Sequence, residues 1–348
     1  MSETQRVTDA PLLSVRDLRT VFHTEREDIH AVDGVSFDIY KGESVGLVGE
    51  SGSGKSVTAR SILGLVDEPG HIEGGEIQFR GDNLVEDGWD AHRGDIAIVF
   101  QDPSNALNPV YTVGNQIREA LSIHQGLSGA AAREEAVDLL ETVGIPDPDR
   151  RVDEYPHELS GGMQQRAVIA IALACDPDVL VCDEPTTALD VTIQAQILDL
   201  LDDLRREEGL ALLFITHDMG VIEEATDRVN VIYAGEVVEH ASTETLFENP
   251  KHPYTQALLE SIPGRTEPGQ ELPTIPGEVP TPTEPATDCR FAPRCPKAFD
   301  ACTHVHPEPI DIEETAAEHE AACLLYPEDR PRQEAVELHQ SKTQEDDR

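Results

Sequence analysis

An α/β fold built on a largely parallel sheet is what this sequence predicts, and three observations predict it. A glycine-rich stretch, Gly49-Glu50-Ser51-Gly52-Ser53-Gly54-Lys55-Ser56, stands between an apolar strand and a helix. Farther on, short apolar strands at residues 96–100, 179–182 and 210–216 alternate with helical stretches, the order that covers a parallel sheet with helices. Before the glycine-rich stretch, residues 12–48 alternate apolar and polar positions, as in Leu13-Ser14-Val15 and Val35-Ser36-Phe37-Asp38-Ile39. That alternation reads as antiparallel strands joined by turns.

Taken in order, those strands end in Ser44-Val45-Gly46-Leu47-Val48, and residues 56–66 form the helix that leads away from the loop. From about residue 102 to 175 the pattern is helical, with apolar side chains every three or four positions over residues 130–143. Residues 192–208 make an amphipathic helix, and residues 228–238 a hairpin turning near Ala234-Gly235. Between residues 262 and 285 the composition shifts to proline, threonine and glutamate, which marks a linker. The chain therefore divides into a domain over residues 10–260, with a helical subdomain at about 102–175, and a small extension over residues 261–330. Residues 331–348 read as a disordered acidic tail.

Charge excludes some partners. Of 348 residues, 68 are acidic and 26 are Lys or Arg, for a formal net charge of −42. Binding duplex nucleic acid through its phosphates needs clustered cations, so nucleic acid is not an expected partner. The only lysines are Lys41, Lys55, Lys251, Lys297 and Lys342. An acidic, lysine-poor surface resembles that of proteins from extreme halophiles, where salt of about 1 M shortens the Debye length to about 3 Å. An ordinary acidic protein is the alternative. The longest apolar run, nine residues from Ala167 to Cys175, is far short of a membrane span. The polar N-terminus lacks the apolar core of a signal peptide. A cytoplasmic chain that reaches any membrane through a partner is expected.

The glycine-rich stretch fits G-x-x-x-x-G-K-[ST] at every fixed position. Gly49, Glu50, Ser51, Gly52, Ser53 and Gly54 bring backbone N–H groups toward phosphate oxygens, and the helix that follows adds its positive end. Lys55 reaches the β- and γ-phosphates, and the Ser56 hydroxyl can join a Mg²⁺ shell. The motif identifies a P-loop nucleotide hydrolase; a purely structural glycine turn is the alternative.

Four further features are ambiguous when taken singly. Leu159-Ser160-Gly161-Gly162-Met163-Gln164-Gln165 opens a helix and could simply cap it. The strand Val179-Leu180-Val181-Cys182 ends in Asp183-Glu184. There Asp183 can hold Mg²⁺ through water and Glu184 can polarise an attacking water, or the pair can merely start a turn. Gln101 terminates one strand, and His217 follows another; both residue types are commonly structural in such places.

Together these motifs resemble the ATP-binding subunit of an ABC transporter over about residues 12–260. Walker A, Q-loop Gln101, signature, Walker B, Glu184, the D-loop Ala188-Leu189-Asp190 and His217 stand in that family's order. The resemblance implies a RecA-like P-loop NTPase core with an antiparallel β subdomain and a helical subdomain. It also implies that two such subunits sandwich two ATP molecules. Ser160, Gly161 and Gly162 would then bind the γ-phosphate held on the partner's loop, with Asp190 beside them. Gln101 would sense Mg²⁺ and the membrane subunits, Glu184 would serve as base, and His217 would contact the γ-phosphate. The family stacks an aromatic residue on adenine, for which Phe22 is the choice and His30 the alternative.

His252-Pro253-Tyr254-Thr255-Gln256 and Cys289-Arg290-Phe291-Ala292-Pro293-Arg294-Cys295 look like the C-terminal extension of oligopeptide and dipeptide importer ATPases. That likeness implies two membrane permeases, a second ATPase subunit and an extracytoplasmic substrate-binding protein. Nickel chelates or sugars as cargo, or a soluble ABC ATPase uncoupled from transport, are the alternatives. The intact Glu184 and His217 argue against a non-hydrolysing subunit. Cys175 and Cys182 lie in apolar stretches and read as core. Cys289, Cys295, Cys302 and Cys323 are separated by five, six and twenty residues, a clustering that suits metal ligation better than disulfides in the cytosol. The importer ATPases point to a [4Fe–4S] cluster, with zinc, a disulfide pair or free thiols as alternatives. His304 and His306 are spare ligand candidates.

Overall fold

The computed structural model describes residues 10–187, 189–262, 275–312 and 318–346. Its strands are β1 (Leu13–His23), β2 (Asp28–Ile39), β3 (Ser44–Val48), β4 (Gly70–Phe79), β5 (Asp82–Asn83), β6 (Ile96–Val99), β7 (Val179–Asp183), β8 (Ala211–Thr216), β9 (Arg228–Tyr233), β10 (Glu236–Ser242), β11 (Ile310–Asp311) and β12 (His319–Ala321). The longer helices are α1 (Lys55–Ile62), α2 (Val113–Ala120), α3 (Gly129–Thr142), α4 (Gly161–Leu173), α5 (Val191–Glu208), α6 (Met219–Ala225), α7 (Thr243–Glu248), α8 (Pro253–Glu260) and α9 (Arg332–Asp346). No helix among the described residues is long and apolar enough to cross a membrane.

Two compact units emerge. One comprises Ile39–Ser44 and Gly88–Ile215. Within it β7 pairs in parallel with β6, from Ile96↔Val179 to Val99↔Cys182, and with β8, from Val179↔Ala211 to Asp183↔Ile215. Strands buried on both faces need apolar side chains at successive positions, and Val179, Leu180, Val181 and Cys182 supply them, all fully buried. Helix α4 is apolar over most of its surface because it too is an inner element, burying Ala167, Val168, Ile169 and Ala170. Helix α5 starts at an Asp190 cap and stops at Gly209, whose left-handed backbone (φ 72°) ends the helix.

The other unit comprises Pro11–Asp38, Val45–Asp87 and the chain from Thr216 onward. A four-stranded sheet in the order β2-β1-β4-β5 forms its first layer, with β1 and β4 antiparallel from Leu13↔Phe79 to Phe22↔Gly70. Strand β3 does not continue that antiparallel series, as its position after β1 and β2 suggested. It pairs in parallel with β9 (Val45↔Arg228 to Val48↔Val231), because all five of its residues are buried and require a covered sheet. Strands β9 and β10 form the expected hairpin, turning at Ala234 and Gly235, both with positive φ. Strand β10 then pairs with β12, and β12 with β11.

The C-terminal residues depart from the sequence expectation. The tail over 331–348 was expected to be disordered, yet Arg332–Asp346 forms helix α9. Ala335 and His339 on this helix are 1% and 0% exposed. The imidazole of His339 accepts a hydrogen bond from the Glu308 N–H (3.0 Å) and lies 3.2 Å from the Tyr326 carbonyl. A few buried contacts therefore order a segment whose composition is almost wholly polar. Part of the expected linker, residues 263–274, lies outside the described residues, as does Ala188 of the D-loop.

Candidate functional site

Strand β3 delivers the chain into the loop at residues 49–54, and α1 leaves it at Lys55. Gly54 caps that helix with φ 106°, a conformation open to glycine and strained for any other residue. A side chain there would also strike the Ala31 carbonyl of β2, and one at Gly49 would strike the Ile232 carbonyl of β9. At Gly49 and Gly54 the loop thus lies against two strands with no room for a Cβ atom, and this close approach leaves its N–H groups for a ligand. The Lys55 ammonium donates to the Gly49 and Glu50 carbonyls (2.7 and 2.8 Å) and is 6% exposed. The Ser53 carbonyl accepts from Gly235 N–H (2.8 Å), and the Gly235 carbonyl accepts from Asp33 N–H (2.8 Å). The Ser53 hydroxyl is buried without a hydrogen-bond partner, a polar atom left for a ligand to satisfy.

Glu50 is the most restrained residue of the loop. Its N–H donates to the Tyr254 hydroxyl of α8 (2.8 Å), and its carboxylate accepts both Arg294 guanidinium nitrogens (2.7 and 3.0 Å). Burial pushes the Tyr254 phenol up. The hydrogen bond to Glu50 is the main cause that raises Arg294 further above its ordinary value. Neither Tyr254 nor Arg294 was singled out as a site residue from the sequence, although both fall in stretches that carried the family likeness. Their spacing from Glu50, more than 200 positions along the chain, gives no local signal.

In the unit containing Gly88–Ile215, β7 ends in Asp183 and Glu184, both half-buried. Glu184 has φ 49° and donates its N–H to the Ile215 carbonyl (2.7 Å), which turns the chain sharply off the sheet. Its carboxylate accepts from the Gln101 amide (2.6 Å) and the Thr187 hydroxyl (3.1 Å). The structure therefore brings Gln101 and Glu184 into direct contact. Ser160 caps α4 through Met163 N–H (3.4 Å), and Asp190 caps α5 through Thr192 and Ile193 N–H (3.1 Å each). A Cβ on Gly161 would meet nothing within 4 Å, whereas one on Gly162 would press on Ile193. Ser160, Gly161 and Asp190 are exposed, so the caps leave this surface facing outward. In the other unit His217 is also exposed, just after β8, and the chain there turns through the Asp218 cap on Gly220 N–H (2.8 Å).

The two adenine candidates sit in different places. Phe22 pairs with Gly70 and packs its ring against that residue. His30 precedes Ala31, whose carbonyl borders Gly54, and the His30 carbonyl borders Gly235. The backbone of His30 and Ala31 thus borders Gly54 and Gly235.

In the cysteine segment Cys289 packs against the cluster that holds Cys302, and its N–H donates to the Cys302 carbonyl (3.1 Å). Burial pushes the Cys289 thiol up to about 12; the N–H groups of Phe291 and Ala292 oppose this, and Cys302 and Cys295 add to it. Burial likewise pushes Cys323 up to about 12, against the Leu325 N–H and reinforced by Cys289, Cys295 and Cys302. Among the described residues, no group of three or more His, Cys, Asp or Glu side chains is placed to hold a metal ion. His306 is engaged by Glu236 (2.5 Å) and Glu308 (3.2 Å), which makes it an ion-pair partner rather than a spare ligand.

Residues 32–187 match the ABC transporter family, and residues 238–302 match the C-terminal region of oligopeptide and dipeptide transporters. The dipeptide transport ATP-binding protein DppD of Haemophilus influenzae is 47% identical over 301 residues, 85% of this chain and 91% of that one. The oligopeptide transport ATP-binding protein AppD of Bacillus subtilis is 49% identical over 323 residues, 91% of this chain and 98% of that one. Among solved structures, CbiO1 of Clostridium perfringens, part of an ABC transporter complex, superposes with a TM-score of 0.60 at 28% identity, covering 69% of this chain and 92% of that one. An ATP-binding cassette solved as a dimer with ADP and phosphate gives 0.59 at 30% identity, over 66% of this chain and 98% of that one.

Proposed function

This chain belongs to the ATP-binding proteins of ABC-type peptide transporters, and on that footing we propose that it hydrolyses ATP to energise the import of oligopeptides or dipeptides. The observation that carries this reading is the presence in one chain of the phosphate loop at residues 49–56 and the peptide-transporter C-terminal region at residues 238–302. In this reading it works at the cytoplasmic face of the membrane as one of two ATPase subunits on two permeases, served by an extracytoplasmic binding protein.

The loop N–H groups and Lys55 hold the phosphates, and Ser56, Asp183 and Gln101 would hold Mg²⁺, which neutralises phosphate charge. Glu184 accepts the proton of the attacking water as its oxygen bonds to the γ-phosphorus and the β–γ bridge breaks, releasing ADP and phosphate. His217 steadies the γ-phosphate. Ser160, Gly161 and Gly162 act on the nucleotide of the second ATPase subunit and Asp190 contributes to ATP binding, a reading supported by the exposure of Ser160, Gly161 and Asp190. For adenine, Phe22 is the choice and His30, whose backbone borders Gly235, is the alternative. In proteoliposomes containing the permeases, the intact chain should accumulate labelled peptide with ATP and Lys55→Ala should not. Equal accumulation by both would overturn the reading, and uptake of a nickel chelate or a sugar in place of peptide would move the cargo.

For the four cysteines the reading is a thiolate-bound [4Fe–4S] cluster, with zinc as the alternative. Its support is the packing of Cys289 against the cluster that holds Cys302 and the N–H groups of Phe291, Ala292 and Leu325 directed at Cys289 and Cys323. No three of the thiols stand in ligating geometry, so the segment would have to draw in around the cluster. Anaerobic preparations should contain iron and a visible absorption band that Cys302→Ser removes; colourless protein containing zinc, or no metal at all, decides against iron. The charge of −42 with five lysines supports adaptation to high salt, in which the fold would gain stability as salt rises toward about 1 M.

A further inference from the structure

Outside the motifs that define an ATPase, the residue most closely tied to the phosphate loop is Arg294. Its side chain is 6% exposed and grips both oxygens of Glu50 in a fork (2.7 and 3.0 Å), the bidentate geometry that a guanidinium alone provides. Other bonds fix the fork in turn. Arg294 donates through Nε to the Pro276 carbonyl (2.8 Å), through Nη2 to the Gly277 carbonyl (3.2 Å) and through Nη1 to the Tyr233 hydroxyl (3.3 Å). Its guanidinium also lies over the Tyr233 ring, 5.7 Å from the centroid.

Glu50 is held at all three of its polar positions. The carboxylate is bound by Arg294, the N–H by Tyr254, and the carbonyl by the Lys55 ammonium (2.8 Å). The same residue that anchors the phosphate-binding lysine therefore carries a negative charge into a loop that must receive a polyanion, and a guanidinium cancels that charge. We propose that Arg294, in the short turn between Cys289 and Cys295, is a positioning residue of the nucleotide loop. Its fork neutralises Glu50 and fixes the backbone that presents Lys55 to the phosphates, so the cysteine segment forms part of the nucleotide site. The inference rests on the loop being the ATP site.

The loss of Arg294 leaves a half-buried carboxylate beside the phosphates, and like charge at that range weakens binding without altering the chemistry of hydrolysis. The test is steady-state hydrolysis of Mg-ATP by the full-length chain assembled with its permeases. Arg294→Met should raise KM by about tenfold with kcat within about twofold, the pattern of lost ground-state binding. Arg294→Lys, which keeps the charge and loses the fork, should fall between. Adding Glu50→Gln to Arg294→Met should bring KM back to within about threefold of the parent, because the repelling charge is gone. A merely structural role predicts the opposite, with the double variant as impaired as the single one or worse. An unchanged KM in Arg294→Met, or no recovery in the double variant, overturns the proposal. If Arg294→Met does not fold, Arg294→Lys with and without Glu50→Gln is read in the same way. Lys55→Ala separates the two levels. If it hydrolyses ATP as well as the parent, the nucleotide reading itself fails. If it is inactive while Arg294→Met is normal, only the role of Arg294 fails.

Discussion

The phosphate loop and the hydrolytic strand end are built on opposite plans. At the loop, Lys55 is 6% exposed, Ser53 is 1% exposed, and Glu50 is tied to Tyr254 and Arg294. At the end of β7, Glu184 is half-buried and is met by an exposed Gln101, while Ser160 and Gly161 are exposed. The first region is braced from behind at Glu50, Ser53 and Lys55 while Ser51, Gly52 and Ser56 are exposed, and donors preorganised in this way lose least on binding. The second presents residues outward, as a surface must if its nucleotide contacts are to be made to another copy of the same kind of domain. On the proposed function, the difference teaches that nucleotide binding is prepared inside this chain, whereas hydrolysis is prepared for assembly.

The strongest way to break that comparison is Glu184→Gln. The isosteric amide keeps the Gln101 and Thr187 neighbours but cannot take a proton, so kcat should fall by at least about a hundredfold while ATP binding persists. Phosphate release and nucleotide binding measured on one preparation check it, and undiminished turnover would remove Glu184 from its role. A middle-sized effect is expected at Gly161. Its Cβ position faces open space, and alanine is favoured over glycine in a helix by about 1 kcal/mol. Gly161→Ala should therefore melt no lower than the parent, yet lose about tenfold in assembled ATPase activity, an amount worth about 1.4 kcal/mol of barrier. Unchanged activity would mean that nothing closes on this surface.

The smallest effect concerns the extension. Burial alone would lower the His306 pKa, but the hydrogen bonds and charges of Glu236 and Glu308 outweigh it and push the group up to about 10. A pKa raised on folding gives stability that is fully present below the unfolded value of about 6.5 and is lost as pH climbs through the folded value. The melting temperature should accordingly decline between about pH 6.5 and pH 10. His306→Gln should flatten that decline, and an unaltered slope would assign it to other groups.

Much of the site was legible because its parts are local. The strand–glycine loop–helix order at residues 44–62, the Ser160 and Asp190 caps, and Asp183-Glu184 at a strand end each depend on neighbours within a few positions. Spacing and residue type express such relations directly. The strand β3 was legible as a strand but not as a partner of β9, since an apolar run does not name the strand beside it. Helix α9 was hidden by its polar composition, because among its residues of described burial only Ala335 and His339 are fully buried, and two such positions leave almost no periodic trace.

Taken by itself, then, the sequence determined the family and the proposed nucleotide chemistry: which residues are candidates to cradle phosphates, bind a divalent ion and activate water. Only the tertiary structure decided how that cradle is braced. The bonds of Glu50 to Tyr254 and Arg294 join residues 204 and 244 positions apart. An ion pair of this kind carries no pattern along the chain, because the desolvation of its charges is offset only where packing brings distant residues into good geometry with further hydrogen bonds, which only the fold can arrange.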